Sequence, residues 1–260
     1  MSPPTPIAPW TLGAIGVAAG VLGGGLGVGG GIIMVPLLVW VGVDRHRAHA
    51  TSLAAIVFIA TAGASSFAVS GEADLGLGIT VGVGGILGSV IGASVMHRVS
   101  SRALTITFGL ILLVAAIRMI LSADPLPGAV DFSDISRILI ALIIGLIAGF
   151  FAGLAGIGGG VVIVPSSVLL LGLDQHLAQG TSLVAIVFTA VAGSLVNLRN
   201  RRLRPVDGLL SGAGGVVGSL IGSRIALLID GRTLSVLFGF LVLYVAVRSL
   251  LRTLRQPAGA

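Results

Sequence analysis

Residues 27–36 read GVGGGIIMVP and residues 156–165 read GIGGGVVIVP. Both phrases lie inside strongly apolar sequence, and each closes on a proline. The likeness runs on beyond them. VDRHRAHATSLAAIVFIATAG (43–63) aligns with LDQHLAQGTSLVAIVFTAVAG (173–193), SRALTITFG (101–109) with GRTLSVLFG (231–239), and Arg118 with Arg248. Gly84, Gly88 and Gly92 likewise face Gly214, Gly218 and Gly222. The chain is a tandem repeat, so whatever the glycine phrase does, it does twice.

Composition says in which solvent. Of 260 residues 55% are apolar and 9% charged, and the mean hydropathy is +1.14, which does not describe a surface facing water. Apolar segments of about 20 residues, the length that crosses a bilayer core, recur with short polar breaks. The expected fold class is an all-α, polytopic integral membrane protein with no room for a soluble domain. Cysteine is absent, which excludes disulfides and thiolate metal sites. The opening MSPPTPIAP carries no basic residue and no small-residue cleavage site follows, so the first apolar segment is expected to stay in the protein. All 15 basic residues are arginines, set against 9 acids, for a net charge of +6. Most of them fall outside the apolar segments, in short loops where orientation in the bilayer is their ordinary role, so lipid rather than nucleic acid is the expected surroundings.

Each copy holds four apolar segments: 11–43, 50–69, 75–96 and 103–121, then 138–173, 180–198, 206–229 and 233–251. The expected division is a first transmembrane repeat over 1–121, a linker over 122–137 and a second repeat over 138–260. The linker has two prolines and three aspartates and reads as a solvated loop. As one straight helix, the first segment of each set would be about 50 Å long against a core of about 30 Å, so a break is implied at the glycines. Arginine placement sets the direction of the copies. Arg45, Arg47, Arg98 and Arg102 flank one pair of loops in the first copy, while Arg199, Arg201, Arg202 and Arg204 fill the non-corresponding loop of the second. With the copies inverted, nearly all loop arginines reach one side, so two inverted-topology repeats with cytoplasmic termini are expected. That topology needs an odd number of crossings per copy, so the long first segment must turn back or cross twice.

Interrupted segments at matching places in inverted halves are the pattern of a secondary transporter that holds its substrate near the midplane. All nine acids lie at segment ends or in loops, so no carboxylate is available at depth for a cation or a proton relay. Helix N-termini favour an anion instead, through free N–H groups and a partial positive charge. The candidate site comprises Gly29, Gly30, Gly31 and Pro36 with Thr51 and Ser52, and Gly158, Gly159, Gly160 and Pro165 with Thr181 and Ser182. For the two Thr–Ser pairs, helix capping stands beside a ligand role. His49 is matched by Gln179; His46 and His176, beside Asp44 and Asp174, read as a helix-start network, since two ligands are too few for a metal. No catalytic residues, metal or cofactor are expected. The glycine rows at spacing four read as packing surfaces, within one chain or between two copies.

GVGGGIIMVP followed by ATSLAAIVF, and GIGGGVVIVP followed by GTSLVAIVF, resemble the TauE/SafE family of sulfite and organosulfonate exporters over essentially the whole chain. The resemblance implies transport of a small sulfur-containing anion such as sulfite, thiosulfate or sulfoacetate, in the inner (plasma) membrane. A passive anion channel of the same architecture is the alternative.

Overall fold

The computed structural model describes residues 8–95, 101–121, 134–155, 159–201 and 203–255. Among the described residues are ten α-helices and no strand: α1 (Pro9–Gly25), α2 (Gly31–Trp40), α3 (Arg45–Val69), α4 (Leu75–Val95), α5 (Ser101–Leu121), α6 (Asp134–Ala155), α7 (Gly160–Leu171), α8 (Gln175–Arg199), α9 (Pro205–Leu228) and α10 (Gly231–Arg255). Five of them, α3, α6, α8, α9 and α10, are long and apolar enough to cross a membrane.

The first segment of each copy is two helices. In the first copy the chain unwinds over residues 26–30, just upstream of where the triple glycine alone would put the break. Gly27, Gly29 and Gly30 adopt φ of 72°, 75° and 84°, a left-handed backbone open to glycine at little cost, whereas Gly31 already belongs to α2. In the second copy Gly159 takes φ 67° and α7 starts at Gly160, while Gly158 lies outside the described residues. α6 begins at Asp134, inside the stretch read as linker, where an acid in the first turn suits the positive end of the helix. The helix starts at α3 and α8 are fixed by Asp44, which accepts from the N–H groups of His46 (2.9 Å) and Arg47 (3.3 Å), and by Asp174, which accepts from Leu177 N–H (3.0 Å). His176 links α8 to the end of α9, its Nε2 lying 3.1 Å from the carbonyls of both Ala226 and Ile229.

Glycine contacts give the relative directions of eight of the described helices. An added Cβ at Gly214, Gly218 and Gly222 would meet the backbone of Gly13, Val17 and Val21 in turn, so α1 and α9 run parallel at backbone contact. Gly208, Gly212 and Gly215 lie against Ala54, Phe58 and Ile59, so α3 runs with them. Gly84 and Gly88 meet the carbonyls of Leu142 and Leu146, which makes α4 and α6 parallel; Gly78 and Gly82 on Val184 and Phe188 add α8 to that group. Between the groups, Gly63 meets Leu183 and Gly193 meets Leu53, so α3 and α8 are antiparallel, as are α5 and α10, where Gly109 meets Leu250 and Gly239 meets Ile120.

Two consequences follow. The fourth helix of each copy packs into the other copy, giving one interlocked group of α1, α2, α3 and α9 and another of α4, α6, α7 and α8 that meet along α3 and α8. Because α1 and α3 point the same way, α2 must carry the chain back to the face where α1 started; α1 and α2 form a hairpin, and so do α6 and α7. In lipid, helices gain little from burying apolar surface against each other and associate instead through close backbone packing, which these glycine rows permit. The pair α5–α10 adds α5 against α7 and α10 against α8, so Pro165 is buried while Pro36 is exposed.

The hairpin makes a direct prediction. Because the native chain contains no cysteine, single probes can be introduced cleanly. Cysteines replacing Trp10 and Trp40 should react with a membrane-impermeant maleimide from one face and a cysteine replacing Ser70 from the other. Labelling of Trp10 and Trp40 positions from opposite faces would contradict the turn.

Candidate functional site

The two hairpins meet at the centre. Gly29 sits against Ile56 of α3 and Ile186 of α8, with an added Cβ 3.2 Å and 3.0 Å from their methyl carbons. Gly160, the first residue of α7, sits against the same Ile186, and against Val28 and the carbonyl of Gly27 in the first hairpin. Ile56 and Ile186 occupy matching positions of the repeat, near the middle of their helices. The starts of α2 and α7, one from each copy, therefore flank one isoleucine pair at mid-depth.

Both starts lack a side-chain cap. In α2 the first helical bonds come from Ile33 and Met34 N–H to the Gly30 carbonyl (3.1 and 2.9 Å); in α7 they come from Val162 and Ile163 N–H to the Gly159 carbonyl (2.9 and 3.1 Å). The N–H groups ahead of these have no carbonyl within their own helix to reach, and both ends carry the positive pole of a helix. Gly27 through Gly31 and Gly160 are all buried.

The predicted side chains divide into distinct roles. Ser182 is fully buried and donates to the Gly27 carbonyl at 2.9 Å, tying α8 to the tip of the first hairpin. The Thr181 hydroxyl accepts from the backbone N–H of Asp74 at 3.0 Å, and Asp74 in turn caps α4 through Leu77 N–H at 2.9 Å. That bond occupies a lone pair of Thr181 and leaves its own hydrogen for another acceptor. Thr51 is buried, and Ser52, one turn before Ile56 on α3, is buried with its hydroxyl unpartnered. Pro165 lies in the buried part of α7, whereas Pro36 lies on the exposed side of α2, away from the meeting point.

Sequence reasoning noted Gln179 only as the partner of His49 and passed over Gln175 and Ser167. Gln179 is fully buried with both amide atoms unpartnered, and its Cα, Cβ and Cγ lie 2.8, 2.8 and 3.0 Å from where a Cβ on Gly27 would stand. Gln175, one turn earlier on α8, is buried with the same vacancy, and so is the Ser167 hydroxyl on α7. Two glutamines one turn apart at the head of an apolar helix were the available signal, because a buried carboxamide without a partner is costly unless something fills it. Every buried polar side chain among the described residues is a neutral hydroxyl or carboxamide. The described ion pair, Arg47 with Asp207 at 3.4 Å, joins the starts of α3 and α9 at the surface.

Among the described residues, five helices long and apolar enough to cross a bilayer, with two buried, uncapped helix starts between them, make this a multi-pass membrane protein. Residues 2–134 and 140–260 match the model of the family described as Sulfite exporter TauE/SafE, and the chain belongs to that family. A probable membrane transporter protein of Xylella fastidiosa (strain Temecula1) is 31% identical over 244 residues, 90% of each chain. The probable membrane transporter protein YunE of Bacillus subtilis is 26% identical over 234 residues, covering 81% of this chain and 86% of its own. No solved structure matches the chain.

Proposed function

We propose that the protein is a secondary transporter, most simply an exporter, of small sulfur-containing oxyanions, and that it works by alternating access in the inner membrane. The observation that carries this reading is the convergence of the α2 and α7 starts, uncapped and buried, at Ile56 and Ile186. Two helix N-termini supply N–H donors and partial positive charge where hydrocarbon would otherwise exclude an anion. Gln179, whose stem lies on Gly27, is the neutral donor nearest to them, and Ser52 and Thr181 are proposed as further donors. The sulfur in the assignment comes from the family description alone.

The helix directions support cytoplasmic termini. With α1 starting inside, Arg45 and Arg47 at the start of α3, Arg102 at the start of α5, and Arg199, Arg201 and Arg204 at the junction of α8 and α9 share the inner face with the end of α10, while α5 ends and α6 starts outside. The interlocked groups offer two bodies that can rock about the α3–α8 contact and expose the site to either face in turn.

A thermal-shift screen of the detergent-solubilised protein tests the site. Sulfite and short organosulfonates should raise the melting point at matched ionic strength, and chloride and acetate should not. Thr181→Val should weaken that response about tenfold in ligand concentration, the loss of one hydrogen bond of about 1.4 kcal/mol. A flat response from folded wild-type protein would remove the assignment.

A further inference from the structure

The charge that the site can compensate follows from what is buried there. This inference rests on the preceding reading and narrows its substrate class: we infer that the site takes singly charged oxyanions and rejects doubly charged ones, with Gln179 as a ligand-contacting, specificity-determining residue.

Full positive charge is missing from the buried set, since the described buried polar residues are Thr, Ser and Gln only. What remains is the pair of helix starts at about half an elementary charge each. Two of them sum to about one positive charge, which balances a monoanion and leaves one charge of a dianion unbalanced. An unbalanced charge among groups as buried as Gly29 and Gly160 weakens binding by a factor on the order of a hundred.

Gln179 supplies the second, independent indication of a ligand. Its stem lies on Gly27, whose carbonyl stands 3.0 Å from an added Cβ on Gly160 at the head of α7, so Gln179 and that helix start share Gly27 as a neighbour. Both its donor and its acceptor are unpartnered in a fully buried residue. A monoanionic oxyanion offers oxygens to the amide N–H, and one that keeps a proton, such as hydrogen sulfite, also offers a donor to Oε1. Ser52 brings a further unpartnered hydroxyl from the opposite helix.

The test is calorimetric titration of the full-length protein with methanesulfonate, sulfate, methanedisulfonate and sulfite between pH 6 and pH 9. Methanesulfonate should bind roughly a hundredfold more tightly than sulfate or methanedisulfonate. Total sulfite should lose affinity about tenfold per pH unit above its second ionisation, because the monoanion is then the minor form. Methanesulfonate keeps one charge throughout, so its own curve reports any contribution from the protein's groups, among them Glu72, Asp74 and Asp174 beside the head of α8 and His49 on the first turns of α3. Gln179→Leu should cost methanesulfonate roughly tenfold, and Gln179→Arg, by adding a charge, should shift preference toward sulfate by tenfold or more. Equal affinity of wild-type protein for methanesulfonate and sulfate would overturn the inference and leave the anion site standing. Failure of every anion to bind folded protein would overturn the functional reading and the inference with it.

Discussion

Gly218→Leu should lower the unfolding midpoint of the purified protein by roughly 6 to 12 °C, whereas Gly13→Ala, one helix away, should leave it unchanged or slightly raised. Gly218 faces the backbone of Val17 so closely that an added Cβ would collide with that carbonyl, and a backbone atom cannot swing aside as a side chain can. Forcing α1 and α9 apart costs about 3 kcal/mol by overpacking, and a domain of this size loses roughly 2–4 °C per kcal/mol. The loss is not confined to one contact, because Gly214 and Gly222 lie on the same ridge against Gly13 and Val21. Gly13 itself has open space where its Cβ would stand, so alanine there gains helix propensity at no steric cost. Differential scanning fluorimetry of both variants in one detergent checks the pair. Equal effects would mean that the glycine row does not hold the two copies together.

Gly160→Val should abolish anion-dependent stabilisation, raising the ligand concentration needed by at least about a hundredfold. The new Cβ would stand 2.7 Å from Val28 Cα, 2.9 Å from Ile186 Cδ1 and 3.0 Å from the Gly27 carbonyl, in the space between the two hairpins. The branched side chain then covers the N–H groups at the head of α7, where the anion is proposed to sit. Gly160→Ala places only the Cβ there, 2.7 Å from Val28 Cα, and should lose about tenfold in binding with a smaller fall in melting point than valine causes. Thermal unfolding without ligand separates the two effects. A variant that melts like wild type in buffer yet no longer responds to sulfite isolates the site, and one that still responds fully removes Gly160 from it.

Much of this was legible in the sequence because the repeat is written twice. The matched GVGGGIIMVP and GIGGGVVIVP phrases announced broken helices, and the spacing of Gly84 and Gly88 and of Gly214, Gly218 and Gly222 announced packing faces. What packs on those faces was not legible. Spacing four says that a backbone comes close, but whether α9 meets α1 or a helix of its own copy is decided by the whole assembly. The exact break also escaped, because three glycines in a row at 29–31 look like the weakest point, while the chain spends its left-handed residues at Gly27, Gly29 and Gly30 and lets Gly31 open α2. Thr181 and Ser182 were visible as polar pairs inside an apolar helix, yet their bonds to Asp74 and Gly27 join residues more than 100 positions apart. Gln179 was legible only as the match of His49, and Gln175 was not singled out; burial, which takes water from both, is what marks them.

The central claim is that the two opposed helix starts carry a small sulfur oxyanion across the membrane in a cycle rather than through an open pore. Counterflow in liposomes holding the purified protein tests it most directly. With unlabelled sulfite inside, uptake of a trace of labelled sulfite should overshoot, saturate with external concentration and vanish in Gly160→Val. Sulfite flux that neither saturates nor responds to sulfite on the far side would contradict the cycle and leave a channel, and no flux at all would contradict the substrate.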